Sequence, residues 1–401
     1  MQQVVIIGAS HGGAEAAIAL RTQGWEGKIL LVGDEPTLPY QRPPLSKGYF
    51  HQAVSDQQLL IKKPTLYEKA KVEVMLGESV TAIDKANKSI SLASGASISF
   101  DYLIIATGAR ARKLSIPGSD LSCINYLRTL ADADKIISQV NAQSHLLVVG
   151  AGYIGLEIAA SASKLGAKVT VLESFPRVLS RVTNEQMSEF YQNLHAQHGV
   201  DIKLNSGVTE FRRSGERYVA VLPDGEELTF DSAVIGIGVI PNVELAELAG
   251  LECENGIVVD NKTITSEPGI FAIGDVSNHP NPFYQRQIRL ESVPNAMEQA
   301  KVAAATICGK EKTHDAFPWF WSDQFDVKLQ TAGLSQGYDS TVIRGDIAAK
   351  KFALFYLKEG KVIAVDAINS PKDFMKAKML IPTGISIPES KLADTSSDWF
   401  E

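Results

Sequence analysis

Two short apolar runs, each turned into a helix by a cluster of glycines, constrain this chain more than anything else in it. Val4-Val5-Ile6-Ile7 reads as a buried parallel strand running into Gly8-Ala9-Ser10-His11-Gly12-Gly13 and an alanine-rich helix over Ala14 to Leu20. Leu146-Leu147-Val148-Val149 does the same, entering Gly150-Ala151-Gly152-Tyr153-Ile154-Gly155 and a helix through Leu165. Glycines at such a turn let the backbone approach an anion, and the helix N-terminus offers unpaired N–H groups and a positive dipole end. Each helix leads to a strand that ends on an acid. Lys28 to Val32 precedes Asp34, 26 residues after Gly8, and Lys168 to Leu172 precedes Glu173, 23 residues after Gly150. A carboxylate there can hold ribose hydroxyls, which completes two dinucleotide fingerprints. The implied fold class is α/β, with two Rossmann-like dinucleotide-binding domains.

The two turns differ in detail. Ser10 stands where the second glycine of GxGxxG is expected, but Arg42-Pro-Pro-Leu-Ser-Lys47 follows, and its prolines fix where Arg42 and Lys47 project. This first half reads as the seat of a resident FAD, with Gly8, Ser10, Gly12, Gly13, Asp34, Arg42 and Lys47 as candidate contacts. The second reads as an NAD site built on Gly150, Gly152, Ile154, Gly155 and Glu173. Glu173 disfavours the 2′-phosphate of NADP. Arg177 and Arg181 are the nearby cations, read as a solvated loop or the start of the next helix. One resident and one exchanging nucleotide imply electron traffic, not nucleotide hydrolysis.

Composition narrows the function further. A formal net charge of −7 argues against bulk nucleic-acid binding, and no apolar run approaches the length of a membrane span. The glycine turn begins at residue 8, leaving no room for a signal peptide, so a cytoplasmic protein is expected. The three cysteines, Cys123, Cys253 and Cys308, form no CxxC or CxxxxC pair, which argues against disulfide-reductase chemistry. His195-x-x-His198 has metal-compatible spacing but no completing cluster, so a solvated helix face and no metal are expected. His11 is expected to be a loop residue near the pyrophosphate.

The remaining segments suggest a chain that leaves its first domain and returns: an FAD-binding domain over 1–113, an NAD-binding domain over 114–243, the rest of the FAD-binding domain over 244–317, and a C-terminal domain over 318–401. Gly269 to Asp275 reads as a buried strand delivering Asp275 at its carboxyl end, where it can accept hydrogen bonds from a ribityl chain. Glu291 to Asn295 opens a helix through Ala305, with Pro294 early in it. Val327 to Leu334, Ser340 to Arg344, Lys351 to Leu357 and Lys361 to Ala367 read as antiparallel strands, Pro371 to Leu380 as a short helix. The tail after Pro388 is expected to have little to bury.

With these motifs the chain resembles, over nearly its whole length, the FAD-dependent NADH:ferredoxin reductases of bacterial oxygenase systems. The match is carried by Arg42-Pro-Pro-Leu-Ser-Lys47, Gly150-Ala-Gly-Tyr-Ile-Gly-Leu-Glu157, Ile273-Gly-Asp275, Glu291-Ser-Val-Pro-Asn295 and Pro318-Trp-Phe-Trp-Ser-Asp-Gln324. The resemblance implies a glutathione-reductase-like architecture with an antiparallel C-terminal α+β domain. It also implies flavin contacts at Gly12, Asp34, Lys47, Val80, Arg128, Asp275 and Val293. Lys47 and Glu157 are expected to meet beside the reactive ring nitrogen, coming from different nucleotide domains, and Trp321 to lie near the stacked nicotinamide. The implied activity is hydride transfer from NADH to FAD, then single electrons to a 2Fe-2S ferredoxin supplying a haem-thiolate monooxygenase or Rieske dioxygenase. Such a ferredoxin is acidic, so a protein of charge −7 needs a local basic dock, for which Arg286, Arg289, Lys301 and the Arg110, Arg112, Lys113 cluster are candidates. The competing readings are a flavin NADH oxidase, a quinone or rubredoxin reductase, and an NADH-sensing interaction flavoprotein of the apoptosis-inducing-factor type. A monomer or weak dimer is expected.

Overall fold

The first apolar run forms the strand Gln3–Ile7 at the centre of a five-stranded sheet. In order the sheet holds Ile270–Ala272, Tyr102–Ile105, Gln3–Ile7, Lys28–Gly33 and Val72–Leu76, all paired in parallel. Val4 and Ile6 face one side and Val5 and Ile7 the other, as strand alternation requires of a sheet covered on both faces. On the first side lie the helices His11–Gln23 and Val293–Ile307. Ala14, Ala16 and Ala17 share a core there with Ala300, Ala303 and Ala304. Small residues let these helices lie close.

The structure, a computed structural model, describes residues 1–384 and 386–399 and forms two compact units. The first comprises Met1–Gln41, Asp56–Arg110 and Ile240–Phe320. The second comprises Arg42–Ser55, Ala111–Val239 and Trp321–Glu401. It repeats the first sheet's plan: Asp201–Lys203, Lys168–Leu172, His145–Val149, Ser232–Ile235 and Ile124–Asn125, again all parallel. Tyr153–Lys164 is its first helix.

The C-terminal sheet is antiparallel, ordered Trp319–Gln324, Val327–Gly333, Lys361–Ile368, Lys351–Lys358 and Ser340–Asp346. Glu359 and Gly360 take φ of +52° and +72°, the left-handed pair that a tight hairpin needs. Leu329, Leu354 and Ile368 of this sheet share one core with Leu146, Leu156 and Val171. Phe50 is buried in that core too, so Arg42–Ser55 packs with the second unit and not, as its sequence position suggests, with the first.

One expectation for this region needs correcting. The tail after Pro388 buries both Leu392 and Trp399, the latter 2% exposed. The Trp399 indole lies edge-on to Phe355 at 5.1 Å, and its Nε1 donates to Asp373 at 2.8 Å. Aromatics at the very end of a polar tail carry no periodicity, so the sequence pattern hides the burial of Trp399.

Candidate active site

The two glycine turns have the same geometry. Gly8 sits at φ +112°, and a Cβ there would lie 2.2 Å from the Ala106 carbonyl oxygen. Gly150 sits at φ +103°, and its Cβ would lie 2.5 Å from that of Gly236. The last glycine of each motif closes the helix onto the turn: a Cβ would come within 2.0 Å of the Gly8 oxygen at Gly13, and within 2.1 Å of the Gly150 oxygen at Gly155. Ser10 and Gly152 are the N-caps, neither helix receives a side-chain cap, and neither carries an acid in its first turn. At Gly152 a Cβ would meet nothing within 4 Å. The protein therefore does not itself require glycine there; the open approach suits a pyrophosphate, and the residues fit a dinucleotide. Gly12 stands opposite Ile154 in the alignment of the two turns. His11 is the first residue of the helix and not a loop residue.

The acids diverge. Asp34 is exposed at the end of its strand. Beside it, Glu35 accepts a hydrogen bond from the Tyr40 hydroxyl at 2.5 Å. Glu173 is buried and braces its own turn, Oε2 accepting from the Ala151 N–H at 2.7 Å and Oε1 from the Phe175 N–H at 2.9 Å. Arg177 is consumed internally by Thr183, Ser180 and Ser188, whereas Arg181 is exposed. In the first unit Asp275 lies in the short turn Gly274–Val276, Val80 opens the strand Val80–Asp84, and Val293 opens the helix that Pro294 continues.

Arg42 to Lys47 winds into the 3-10 turn Pro43–Ser46. Arg42 donates to the Arg128 carbonyl at 2.5 Å, bringing two expected flavin contacts together. Lys47 Nζ lies 2.6 Å from Glu157 Oε2, on which the Ser46 hydroxyl also converges at 2.5 Å. The Ser322 hydroxyl takes Oε1 at 2.5 Å. Glu157 is 4% exposed, so removing one partner would leave a buried charge short of the bonds that stabilise it. Trp321 is partly buried beside Ser322, and successive strand residues point to opposite faces.

One further expectation changes. His195 is fully buried, its Nε2 2.8 Å from Gln324 Oε1, because the strand Trp319–Gln324 brings polar Ser322 and Gln324 inward. His198, one turn on, is exposed, so the pair is not a solvated face. Among the described residues no group of three or more His, Cys, Asp or Glu is placed to hold a metal. Of the basic candidates, Arg289 is held by Glu291 at 2.8 Å, Lys301 by Glu298 at 2.7 Å and Arg110 by Glu244 at 2.6 Å, while Arg112, Lys113 and Arg286 are exposed. A surface missed in the sequence lies on the helix Pro371–Leu380. Met375 and Met379 are 51% and 63% exposed there, beside Lys372 and Lys378. Two polar residues at alternate positions of an aromatic strand, and methionines four apart among lysines, were the available signals.

Twin glycine turns on parallel sheets, joined to an antiparallel C-terminal sheet, define a two-nucleotide flavoprotein oxidoreductase. The chain belongs to the pyridine nucleotide-disulphide oxidoreductase family, whose profile matches residues 2–300, and residues 319–399 match the reductase C-terminal family. It is similar to putidaredoxin reductase of Pseudomonas putida, 42% identical over 399 residues, covering 98% of this chain and 94% of the relative. Rhodocoxin reductase of Rhodococcus erythropolis is 40% identical over 396 residues, covering 98% and 93%. Among solved structures, putidaredoxin reductase in covalent complex with putidaredoxin superposes with a TM-score of 0.96 at 41% identity, covering 100% of this chain and 97% of that one. A ferredoxin reductase from Rhodopseudomonas palustris gives 0.97 at 39% identity, covering 100% and 99%. The chain is thus an oxidoreductase that uses FAD and NAD(H). No helix among the described residues is long and apolar enough to cross a membrane.

Proposed function

We propose that this protein is an NADH-dependent ferredoxin reductase delivering single electrons to a 2Fe-2S ferredoxin that serves a haem-thiolate monooxygenase or a Rieske dioxygenase. The observation that carries the reading is the pairing of half-buried Lys47 with buried Glu157 in a chain without a cysteine pair. FAD, when bound, supplies the conversion of a two-electron hydride into one-electron steps. The chain supplies the rest. Gly8, Ser10, Gly12, Gly13 and Asp34 hold the adenosine and pyrophosphate of FAD, with Val80, Asp275, Val293, Arg42 and Arg128 as its further contacts. The ammonium of Lys47, held by Glu157, offsets negative charge arriving at the isoalloxazine. Gly150, Gly152, Ile154 and Gly155 receive the NADH pyrophosphate, and Trp321 flanks the nicotinamide. Glu173 keeps a buried negative charge under the turn, which opposes the extra phosphate of NADPH.

The thiols stay out of this chemistry. Cys123 is buried, and burial pushes its thiol and that of Cys253 up to about 11, far from the thiolate a disulfide exchange needs. Anaerobic stopped-flow absorbance tests the reading: NADH bleaches the flavin, NADPH does so far more slowly, and added 2Fe-2S ferredoxin restores the colour. Bleaching without ferredoxin turnover would move the assignment to rubredoxin, a quinone or oxygen, or to a sensing role.

An acidic ferredoxin needs a basic contact, and the exposed Met375, Met379 and Lys372, with the half-buried Lys378, offer apolar and positive surface together. Charge reversal at Lys372 and Lys378 is expected to lower kcat/KM for ferredoxin about tenfold at low salt, with the loss fading as salt rises, while flavin reduction by NADH is unchanged. Equal salt profiles for variant and parent would rule this face out.

A further inference from the structure

Glu157 is an acceptor at both oxygens, and that sets the direction of every hydrogen bond behind it. A carboxylate carries no proton, so the Ser322 hydroxyl, 2.5 Å from Oε1, must donate to it. Ser322 Oγ is then free to accept, and Gln324 Nε2 donates to it at 3.2 Å. With its amide nitrogen turned to Ser322, Gln324 presents Oε1 to His195 Nε2 at 2.8 Å. His195 must therefore carry its proton on Nε2, leaving Nδ1 bare. Among the described residues Nδ1 has no partner, so the chain of donors ends there. All four side chains are buried, His195 and Ser322 completely. Burial also pushes the imidazole down to about 4, which keeps it neutral at physiological pH.

The backbone is bent to make this arrangement. Immediately after Gln324, Phe325 takes φ +55°, a left-handed conformation that is unfavourable for an aromatic residue. Its ring is clamped, with His198 stacked on it at 3.7 Å and His195 edge-on at 5.0 Å, and Lys164 Nζ binds its carbonyl at 3.2 Å. A tight hairpin held at this point fixes the register by which Ser322 and Gln324 face inward. On the far side, Ser46 and Lys47 share Oε2, and the Ser46 carbonyl accepts from Ser161 at 2.7 Å. With Oε1 engaged by Ser322, the carboxylate is held in one orientation, and Oε2 is presented to Lys47 and Ser46.

We propose that Ser322, Gln324 and His195 form a one-way relay of hydrogen bonds that orients Glu157 and thereby sets Lys47, which makes all three positioning residues for hydride transfer. The proposal rests on the reading that Lys47 and Glu157 serve the flavin. The test compares Ser322→Ala, Ser322→Thr, Gln324→Leu and Glu157→Gln holoenzymes by stopped flow, by the flavin midpoint potential, and by long-range proton–nitrogen NMR of labelled histidines. Ser322→Ala is expected to slow flavin reduction by NADH about tenfold and to shift the midpoint potential without changing the Kd for NADH, because one donor to a charged group is lost. Ser322→Thr, which keeps the hydroxyl, restores both. Gln324→Leu is expected to slow the same step and to remove the preference of His195 for the Nε2–H tautomer, which is the form expected of the wild-type protein at neutral pH. A wild-type rate and potential in Ser322→Ala, beside a slowed Glu157→Gln, would overturn the relay and leave the ion pair standing. A wild-type rate in Glu157→Gln would overturn both. Observation of His195 as the Nδ1–H tautomer in the folded parent overturns the direction of the relay even where a variant fails to fold.

Discussion

Gly13→Ala is expected to purify without flavin, and Gly155→Ala to purify yellow yet remain unbleached by NADH. The Cβ of Gly13 would sit 2.0 Å from the Gly8 carbonyl oxygen and that of Gly155 2.1 Å from the Gly150 oxygen. Both obstacles are backbone. Gly8 N–H is bonded to the Val32 carbonyl at 2.8 Å and Gly150 N–H to that of Leu172 at 2.8 Å, so neither turn can recoil without breaking the strand behind it. Opening the turn swings the helix N-terminus off the pyrophosphate. Each hydrogen bond lost to a charged group is worth about 2 kcal/mol, so losing two weakens binding roughly a thousandfold. Gly12→Ala is the control. A Cβ there would meet the Ile273 side chain at 3.4 Å, which has room to give, and the flavin should be retained. The measurements are the visible absorbance per mole of protein and the Kd for NADH. Full flavin content in Gly13→Ala, or an unchanged Kd in Gly155→Ala, would remove the steric basis of the two sites.

Those turns are also where the sequence is most legible, and the reason is physical. Only glycine tolerates a Cβ position 2 Å from a carbonyl, and only a buried parallel strand tolerates Val4 to Ile7 without a polar residue. Local chemistry of that kind fixes one residue type per position, so the α/β class and both nucleotide turns can be read directly. Lys47 and Glu157 lie 110 residues apart, and nothing local pairs them; it was the resemblance that suggested their meeting, found here at 2.6 Å. Ser322, Gln324 and His195 escaped because a buried polar network has no period. Each reads alone as a surface residue, and His195-x-x-His198, a metal-compatible spacing with no completing cluster, reads as a solvated face, whereas Phe325 packs against both rings. The packing of Arg42–Ser55 with the second unit likewise has no local signal, since it rests on Phe50, fully buried there, and on the long-range bonds of Arg42, Ser46 and Lys47.

Acid should destabilise this protein well above the usual carboxylate range. Four histidines are buried and held below the ordinary imidazole value: His145, His195 with its relay, and the pair His279 and His314, whose rings lie 4.7 Å apart at 69°. His314 Nε2 is 3.0 Å from Asn295 Oδ1, and neither nitrogen of His279 has a partner among the described residues. Burial pushes His195 and His314 down to about 4, and burial with His314 alongside pushes His279 down to about 3. In the unfolded chain each takes a proton near the ordinary imidazole value of 6.5, while in the folded chain it does not. The unfolded state therefore binds more protons throughout the interval from 6.5 down to about 4, and stability falls as pH falls through it. At about 1.4 kcal/mol per unit, His195 alone accounts for a loss of roughly 3 kcal/mol, a large part of the 5–15 kcal/mol that holds a typical domain together. Asp366 works in the opposite sense. Burial raises its carboxyl above the ordinary value, so the folded state gains protons there as pH falls and part of the loss is offset. Urea midpoints followed by tryptophan fluorescence should therefore drop steeply between pH 6.5 and 4 and change little between 8 and 7. His195→Gln and His279→Gln, which cannot titrate, should each flatten that drop whatever their stability at neutral pH. An equally steep drop in both variants would show that these imidazoles are charged in the folded protein or that other groups govern its response to acid.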